Sequence, residues 1–258
     1  MNIIRLTGRK ALRLIRLLGS HVLFFVAITQ FFYPSFKRFN LIVRQMYFSG
    51  VLSVLIVAVS GLFVGMVLGL QGYTQLAKFK SADVLGYMVA ASLLRELGPV
   101  LAAILFASSA GGAVTSEIGL MKTTEQLEAM NIMAVNPISR VVAPRFWAGV
   151  LSMPLLAAIF NVSGVYGAYI IGVQWLGLDS GIFWVQMQNN ITWSYDVSRS
   201  LLKSVVFGMV VTLIAVYQGF YCEPTAEGIL RANTRTVVTS SLTVLALDFV
   251  LTAFMFTG

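Results

Sequence analysis

Residues Arg95–Met133, RELGPVLAAILFASSAGGAVTSEIGLMKTTEQLEAMNIM, place a charged pair, a long apolar run and a polar segment in succession. The run Leu97–Ser116 has 20 uncharged residues, which at ~1.5 Å per residue is the length a helix needs to cross a hydrocarbon core. It predicts a membrane span. Because the apolar run Val84–Leu94 precedes Arg95 and Glu96, we expect both charges to lie within membrane depth.

The polar segment after this run is expected to form a short surface helix over 117–133. A helical period of 3.6 residues places Glu117, Met121, Glu125 and Glu128 on one face and Leu120, Leu127 and Met130 on another. The apolar face is expected to be docked. The polar side is either a solvated loop face or a docking surface for a partner protein, and the candidate docking residues are Glu117, Lys122, Glu125 and Glu128.

The composition indicates a polytopic membrane protein. Hydrophobic residues make up 58% of the 258, charged residues 11%, and the mean hydropathy is +0.84. Soluble domains carry about a quarter charged residues, and several uncharged runs here reach 20 residues, so a soluble domain with a large core is excluded. The single cysteine, Cys222, allows no internal disulfide, and the single histidine, His21, excludes His-pair zinc motifs.

The net charge of +8 indicates membrane topology rather than nucleic-acid binding, because the basic residues lie between the apolar runs. Residues 1–47 carry the densest group, in which Arg5, Arg9, Lys10, Arg13 and Arg16 alternate with apolar residues. This pattern is typical of an amphipathic helix at an anionic leaflet. The following stretch Leu17–Tyr33 is short and lacks a cleavage motif, which favours an interfacial or re-entrant helix ended by Pro34 over a signal peptide. Lys37, Arg38 and Arg44 then return the chain to the cytoplasmic surface.

Residues 48–258 are expected to form one transmembrane domain with five spans. We place the spans at Phe48–Ala77, through Arg95 to Ser116, at Phe146–Leu178, at Ser204–Cys222 and at Thr236–Phe256. A polar loop is expected at Glu223–Arg235, and the tryptophan-rich segment 177–200 is expected at the opposite interface of the membrane. Thirteen of the 18 Lys and Arg residues then fall on one side, the cytoplasm, which leaves the C-terminus outside.

Gly61, Gly65 and Gly69 recur every four residues in the first span. Such a stripe lets another helix approach closely. We therefore predict a helix-packing interface there, with lipid-tolerated glycine as the alternative.

Ionisable side chains at membrane depth cost roughly 2.5–3.5 kcal/mol each at the centre of the bilayer, so they usually face a cavity or a partner. Arg95, Glu96 and Asp248 are the candidates, either in a substrate pathway or as a structural ion pair. Adjacent helical residues point about 100° apart, so Arg95 and Glu96 cannot satisfy each other well. Lys203, at the mouth of the fourth span, is either a ligand for a phosphate headgroup or an interface anchor. The apolar walls of one cavity between the first, second and fifth spans are assigned to Leu68, Leu76 and Phe79.

The chain has no catalytic or nucleotide-binding motif that we recognise. It contains no Gly-Lys dipeptide and hence no phosphate-binding P-loop. It also has no nucleophile elbow and no HExxH zinc motif. We therefore expect that the chain is not an enzyme and has no metal or cofactor of its own.

Three stretches carry a resemblance to a known family: SLLRELGPVLAAILFASSAGGAVTSEIGLMKTTEQLEAM, SGLFVGMVLGLQGY and RTVVTSSLTVLALDFVLTAFMF. From about Val43 to the C-terminus the chain resembles the MlaE (YrbE) permease family. The resemblance implies an all-α subunit of a bacterial ABC transporter in the inner membrane of a Gram-negative cell. It also implies that segment 177–200 and the C-terminus lie on the periplasmic side. The subunit would move glycerophospholipids between the inner and outer membranes and maintain outer-membrane lipid asymmetry.

The resemblance also implies partners. These are a second copy of the chain, ATPase subunits that bind ATP and Mg, a periplasmic MCE-domain lipid-binding protein and a small cytoplasmic accessory protein. Residues 117–133 resemble the family's cytoplasmic coupling helix. Two other interpretations stay open. One is an ion-coupled secondary transporter with Arg95, Glu96 and Asp248 as a relay, and the other is a non-conducting membrane anchor for a periplasmic lipid-binding partner.

Overall fold

The computed structural model describes residues 19–31 and 39–256, without the side chains of Trp193 and Phe256. In this part of the chain all regular structure is helical, and we number eight helices. They are α1 (Gly19–Gln30), α2 (Phe39–Lys78), α3 (Ala82–Thr123), α4 (Gln126–Ile132), α5 (Ile138–Trp175), α6 (Ser180–Asn190), α7 (Ser194–Tyr221) and α8 (Ala226–Met255). By length and composition α2, α3, α5, α7 and α8 can each cross a membrane, which confirms the all-α fold with five spans.

Several spans are longer than the sequence predicted. The first begins at Phe39 rather than Phe48, so the boundary expected after residue 47 falls inside α2. The prediction of a polar loop at Glu223–Arg235 is wrong, because α8 begins at Ala226. The Thr225 hydroxyl accepts the Gly228 N–H at 3.0 Å, and Arg231 pairs with Glu227 one turn earlier at 2.6 Å. Charged residues therefore extend the helix beyond the apolar run instead of ending it.

The predicted single helix over 117–133 is two helices. The second span continues through Glu117 to Thr123, and with 42 residues α3 measures roughly 60 Å, about twice the hydrocarbon thickness. The chain then turns at Glu125, whose φ of 58° is left-handed, and α4 begins at Gln126. Glu117 and Glu128 consequently do not share one helix face.

The glycine stripe of α2 packs against a second row of small residues on α5. A Cβ added at Gly65 would lie 1.8 Å from the carbonyl oxygen of Gly164, and one at Gly69 would lie 3.0 Å from the Cα of Ala168. At Gly61 it would lie 2.7 Å from the carbonyl oxygen of Phe160. The close approach is therefore a contact between the first and third spans within one subunit.

Buried apolar side chains form two cores. The larger lies among the spans and includes Phe106, Phe160 and Phe207. The smaller, which we call the α4-end core, surrounds Phe146 and Leu127 and joins α1, α4, α5 and α7.

Helix α1 is part of the α4-end core. Phe24 and Ile28 are buried in it, and His21 stacks on Tyr217 of α7 with ring centroids 3.8 Å apart. The interfacial placement of α1 stays a prediction. The basic array of residues 1–16, Pro34, Lys37 and Arg38 lie outside the described residues.

At the opposite end of the spans, α6 connects α5 to α7. Asp179 caps it by accepting the Ile182 N–H at 2.9 Å, and Phe183 is buried against α3 at Gly86. The periplasmic placement of segment 177–200 remains a prediction.

Candidate functional site

The charged pair Arg95 and Glu96 lies in a π-helical turn, Leu93–Leu97, of α3. Pro99 follows, and its missing N–H would have bonded to the carbonyl of Arg95 in an α-helix. Lys203 of α7 donates to that carbonyl at 2.9 Å. An ammonium group thus supplies the hydrogen bond that the proline removes.

Lys203 uses all of its hydrogen-bond donors inside the protein. Its side chain is 1% exposed, and besides the Arg95 carbonyl it donates to Asp248 Oδ1 at 2.9 Å and to Thr252 Oγ1 at 2.7 Å. An ammonium has three donors, and all three have partners here. The contacts join α3, α7 and α8, and Lys203 has no donor left for a lipid headgroup.

Arg95 pairs with a residue that the sequence did not single out. Its Nε donates to Asp196 Oδ1 at 2.8 Å, and the Thr192 N–H donates to Asp196 Oδ2 at 3.0 Å. The Asp196 side chain is 2% exposed, whereas the Arg95 side chain is 32% exposed. Arg95 is therefore held by Asp196 while its side chain stays partly exposed.

Glu96 points elsewhere, as the 100° offset between neighbours on a helix predicted. It is exposed, and among the described residues it takes part in no ion pair. The site thus presents one accessible acid beside one partly accessible base.

The apolar residues assigned to one cavity lie in different surroundings. Leu68 lines a groove of about 510 Å³ between α2 and α3, together with Met88 and Ser92. Leu76 packs against the larger core, and Phe79, just past the end of α2, is 78% exposed. The lining of the groove includes neither of them, and it does not include Asp248. This groove therefore does not bring the predicted residues together, and their arrangement around one cavity between the first, second and fifth spans stays a prediction.

The four candidate docking residues divide into two pairs. Glu117 binds Arg145 of α5, with Oε1 2.7 Å from Nη2 and Oε2 3.2 Å from Nε. Lys122 donates to the carbonyls of Phe220 and Cys222 at the end of α7, at 3.0 and 2.8 Å. These two residues are used inside the subunit.

Glu125 and Glu128 are exposed, and beside them α4 presents uncovered apolar side chains. Ile132 is 88% exposed and Met133 is 66% exposed. Leu127, on the other face of α4, is buried in the α4-end core. One side of α4 is therefore fixed to the protein, and the other offers acids around an apolar centre.

Cys222 lies buried beside the Lys122 contact, and burial raises the pKa of its thiol while the nearby ammonium of Lys122 opposes this rise. Among the described residues no group of three His, Cys, Asp or Glu side chains is arranged to hold a metal ion.

Comparisons with known proteins point to one family of permeases. A family model described as "Permease MlaE" matches residues 42–254. The chain is 57% identical over 220 residues to the intermembrane phospholipid transport system permease protein MlaE of Haemophilus influenzae, covering 85% of this chain and 84% of that protein.

More distant relatives match over similar lengths. A probable ABC transporter permease protein of Rickettsia typhi is 36% identical over 261 residues, which is 99% of this chain and 98% of that protein. One from Synechocystis is 34% identical over 215 residues, 83% of this chain and 81% of that protein.

Proposed function

The chain belongs to the MlaE permease family, and from that premise we propose that it is the membrane permease subunit of an ABC transporter that moves phospholipids. The observation that carries the proposal is the 57% identity, over 85% of the chain, to a permease named for intermembrane phospholipid transport. Five helices long enough to cross a membrane support it. Further parts of the proposal are an inner membrane location in a Gram-negative cell and a role in maintaining lipid asymmetry of the outer membrane.

We propose that α4 lies in the cytoplasm and that the C-terminus lies in the periplasm. Lys122, Arg140, Arg145, Arg231 and Arg235 all lie in or near the helix ends on the α4 side, as expected for the cytoplasmic side of a membrane protein.

The lipid headgroup is proposed to meet α3 near its π-helical turn. Arg95 is held by Asp196 yet is 32% exposed, so it can approach a phosphate without losing its internal partner. Glu96 next to it is exposed and suits an ammonium-bearing headgroup. Lys203 and Asp248 support this region by bonding to each other and to the Arg95 carbonyl. Leu68 is the proposed apolar wall of the adjoining groove, and Leu76 and Phe79 are candidates for walls formed with a second subunit.

Energy for transport is proposed to come from a separate ATPase that holds ATP and Mg, because this sequence has no P-loop. The exposed side of α4 is the proposed docking surface. Its acids, Glu125 and Glu128, would meet basic groups, and Ile132 and Met133 would supply the apolar centre that protein interfaces favour. A homodimer, a periplasmic MCE-domain protein and a small cytoplasmic accessory protein complete the proposed assembly.

Reversal of two charges tests the docking surface. The double variant Glu125→Lys/Glu128→Lys should lower the amount of ATPase that copurifies with the permease by about tenfold, since like charges placed at an interface repel. Glu227→Lys is the matched control, because Glu227 is 74% exposed and its ion-pair partner, Arg231, lies on the same helix, α8. Copurification of the double variant at the parent level, with normal stimulation of ATP hydrolysis, would show that the ATPase docks elsewhere.

A further inference from the structure

A bidentate ion pair between Glu117 and Arg145 joins the two ends of the segment 117–145, which contains α4. Arg145 is 6% exposed at its side chain and holds Glu117 through Nη2 and Nε, at 2.7 and 3.2 Å. Its Nη1 donates to the Val141 carbonyl at 3.0 Å, so the guanidinium group is fixed in orientation. The pair ties the end of α3 to the beginning of α5, and the chain between these two residues leaves the bundle and returns through α4.

A second contact ties the end of α3 to α7. The last carbonyls of a helix have no partner within it, and Lys122 donates to those of Phe220 and Cys222 at 3.0 and 2.8 Å. A cation at a helix C-terminus is also stabilised by the helix dipole. The ends of α3, α5 and α7 are therefore held together by two charged contacts that lie on the α4 side of the membrane spans.

Helix α4 follows the end of α3 after a very short connection. Only Thr124 and Glu125 separate α3 from α4, and Leu127 is buried in the α4-end core with Phe146 and Val216. Because few backbone bonds can rotate between α3 and α4, we expect a displacement of α4 to move the end of α3 as well.

We propose that Glu117, Lys122 and Arg145 are positioning residues for transport: they hold α3, α5 and α7 as one body, so that α4 moves the three spans together. They do so without contacting the partner. This inference rests on the proposed function, in which an ATPase binds the exposed side of α4. Of the four candidate docking residues, Glu125 and Glu128 then bind the ATPase. Glu117 and Lys122 instead transmit the motion of α4 to the spans.

The test uses the whole complex of permease and ATPase in liposomes with the single variants Glu117→Gln and Lys122→Met. Three quantities are measured: the ratio of copurified ATPase to permease, the rate of ATP hydrolysis and the amount of phospholipid transferred per ATP. We expect the copurified ratio to stay at the parent level, whereas phospholipid transferred per ATP falls by about fivefold or more, the lower end of typical couplings between sites. A residue that only supports the fold would lower the yield of the complex instead.

Two further variants sharpen the test. Glu227→Gln breaks an exposed ion pair within α8 and should change none of the three quantities. Exchange of charges in Glu117→Arg/Arg145→Glu should recover part of the transfer per ATP that Glu117→Gln loses, because the pair is restored in reverse.

Parent values of transfer per ATP in both single variants would overturn the proposal. Failure of both to assemble would also overturn it, because the residues would then be supports for folding. The parent complex is the check on the function itself. If it transfers no phospholipid with ATP, the proposed function fails. If it does and the variants match it, only the positioning role fails.

Discussion

At the scale of single residues, Lys203 shows how one cation can serve three helices. It is 1% exposed and bonds to a backbone carbonyl, a carboxylate and a hydroxyl. Removing it would leave the Arg95 carbonyl and the Asp248 carboxylate without donors at membrane depth. Because Asp248 is 21% exposed, the cost should lie near the lower end of the ~3–5 kcal/mol typical of breaking a buried pair.

Lys203→Met should therefore lower the melting temperature of the purified permease in detergent, measured by the loss of monodisperse protein on heating. The double variant Lys203→Met/Asp248→Asn should recover part of this loss, because no uncompensated charge remains. Equal melting temperatures for Lys203→Met and the parent would show that the three contacts do not hold the helices together.

Glu96 allows a separate test of the substrate pathway, because it is exposed and has no ion pair among the described residues. Glu96→Gln keeps the size of the side chain and removes its charge, so assembly should be unaffected. Phospholipid transfer should fall severalfold if the carboxylate meets the headgroup. Parent rates of transfer in a normally assembled Glu96→Gln complex would remove Glu96 from the pathway.

Cys222 provides a local measurement of pH dependence. Burial raises the pKa of its thiol, so the folded protein favours the neutral form. The thiolate is the reactive form, and labelling by a maleimide should therefore speed up at a higher pH in the folded protein than in the unfolded one. The corresponding contribution to stability is complete below the ordinary thiol pKa and is lost as pH rises through the raised value. The same labelling profile before and after unfolding would contradict the burial.

The sequence predicted part of this residue-level account. The angle between neighbours on a helix indicated that Arg95 and Glu96 need separate surroundings, and they have them. The sequence did not identify Asp196 as the partner of Arg95, because this pair joins residues 101 positions apart and depends on how α3 and α7 pack. It also grouped Glu117 and Lys122 with Glu125 and Glu128, since charge alone does not show whether a side chain faces a partner or a neighbouring helix.

At the scale of helices, the α2–α5 contact depends on bare backbone. Gly65→Leu would place side-chain atoms where the Gly164 carbonyl lies, and a Cβ there would already be 1.8 Å from its oxygen. We expect a severe loss of folded permease from membranes, measured by size-exclusion chromatography of the detergent extract.

Val59→Leu is the control for this change, because Val59 is on the same helix and is 46% exposed. It adds bulk toward lipid and should leave the yield near the parent level. A normal yield of Gly65→Leu would mean that the two helices can separate without cost.

The boundaries of the helices were the least predictable feature of the fold. Apolar length correctly gave five spans, but Arg44 was placed before the first span and Arg231 in a loop, although they lie within helices α2 and α8. A helix that leaves the membrane remains hydrogen-bonded along its backbone, so the change in composition marks the membrane surface and not the helix end. The break at Glu125 was missed because the segment carries neither glycine nor proline there.

At the scale of the whole molecule, the described structure has two regions with different tasks. One is the charged junction of α3, α7 and α8, and the other is α4 with the charged contacts of Glu117 and Lys122 beside it. Helix α3 runs through both, from Arg95 to Lys122, so it is the direct connection between the proposed headgroup site and the proposed ATPase surface.

The measurement that tests the central claim most directly is phospholipid transfer from liposomes that contain the permease, with four conditions compared. These are the permease alone, with an ion gradient, with its ATPase, and with its ATPase and ATP. We expect transfer only in the last condition, and we expect the Glu125→Lys/Glu128→Lys variant to lose that transfer. Transfer driven by an ion gradient without the ATPase would contradict this expectation and establish a secondary transporter. No transfer in any condition from a correctly assembled complex would instead indicate a membrane anchor.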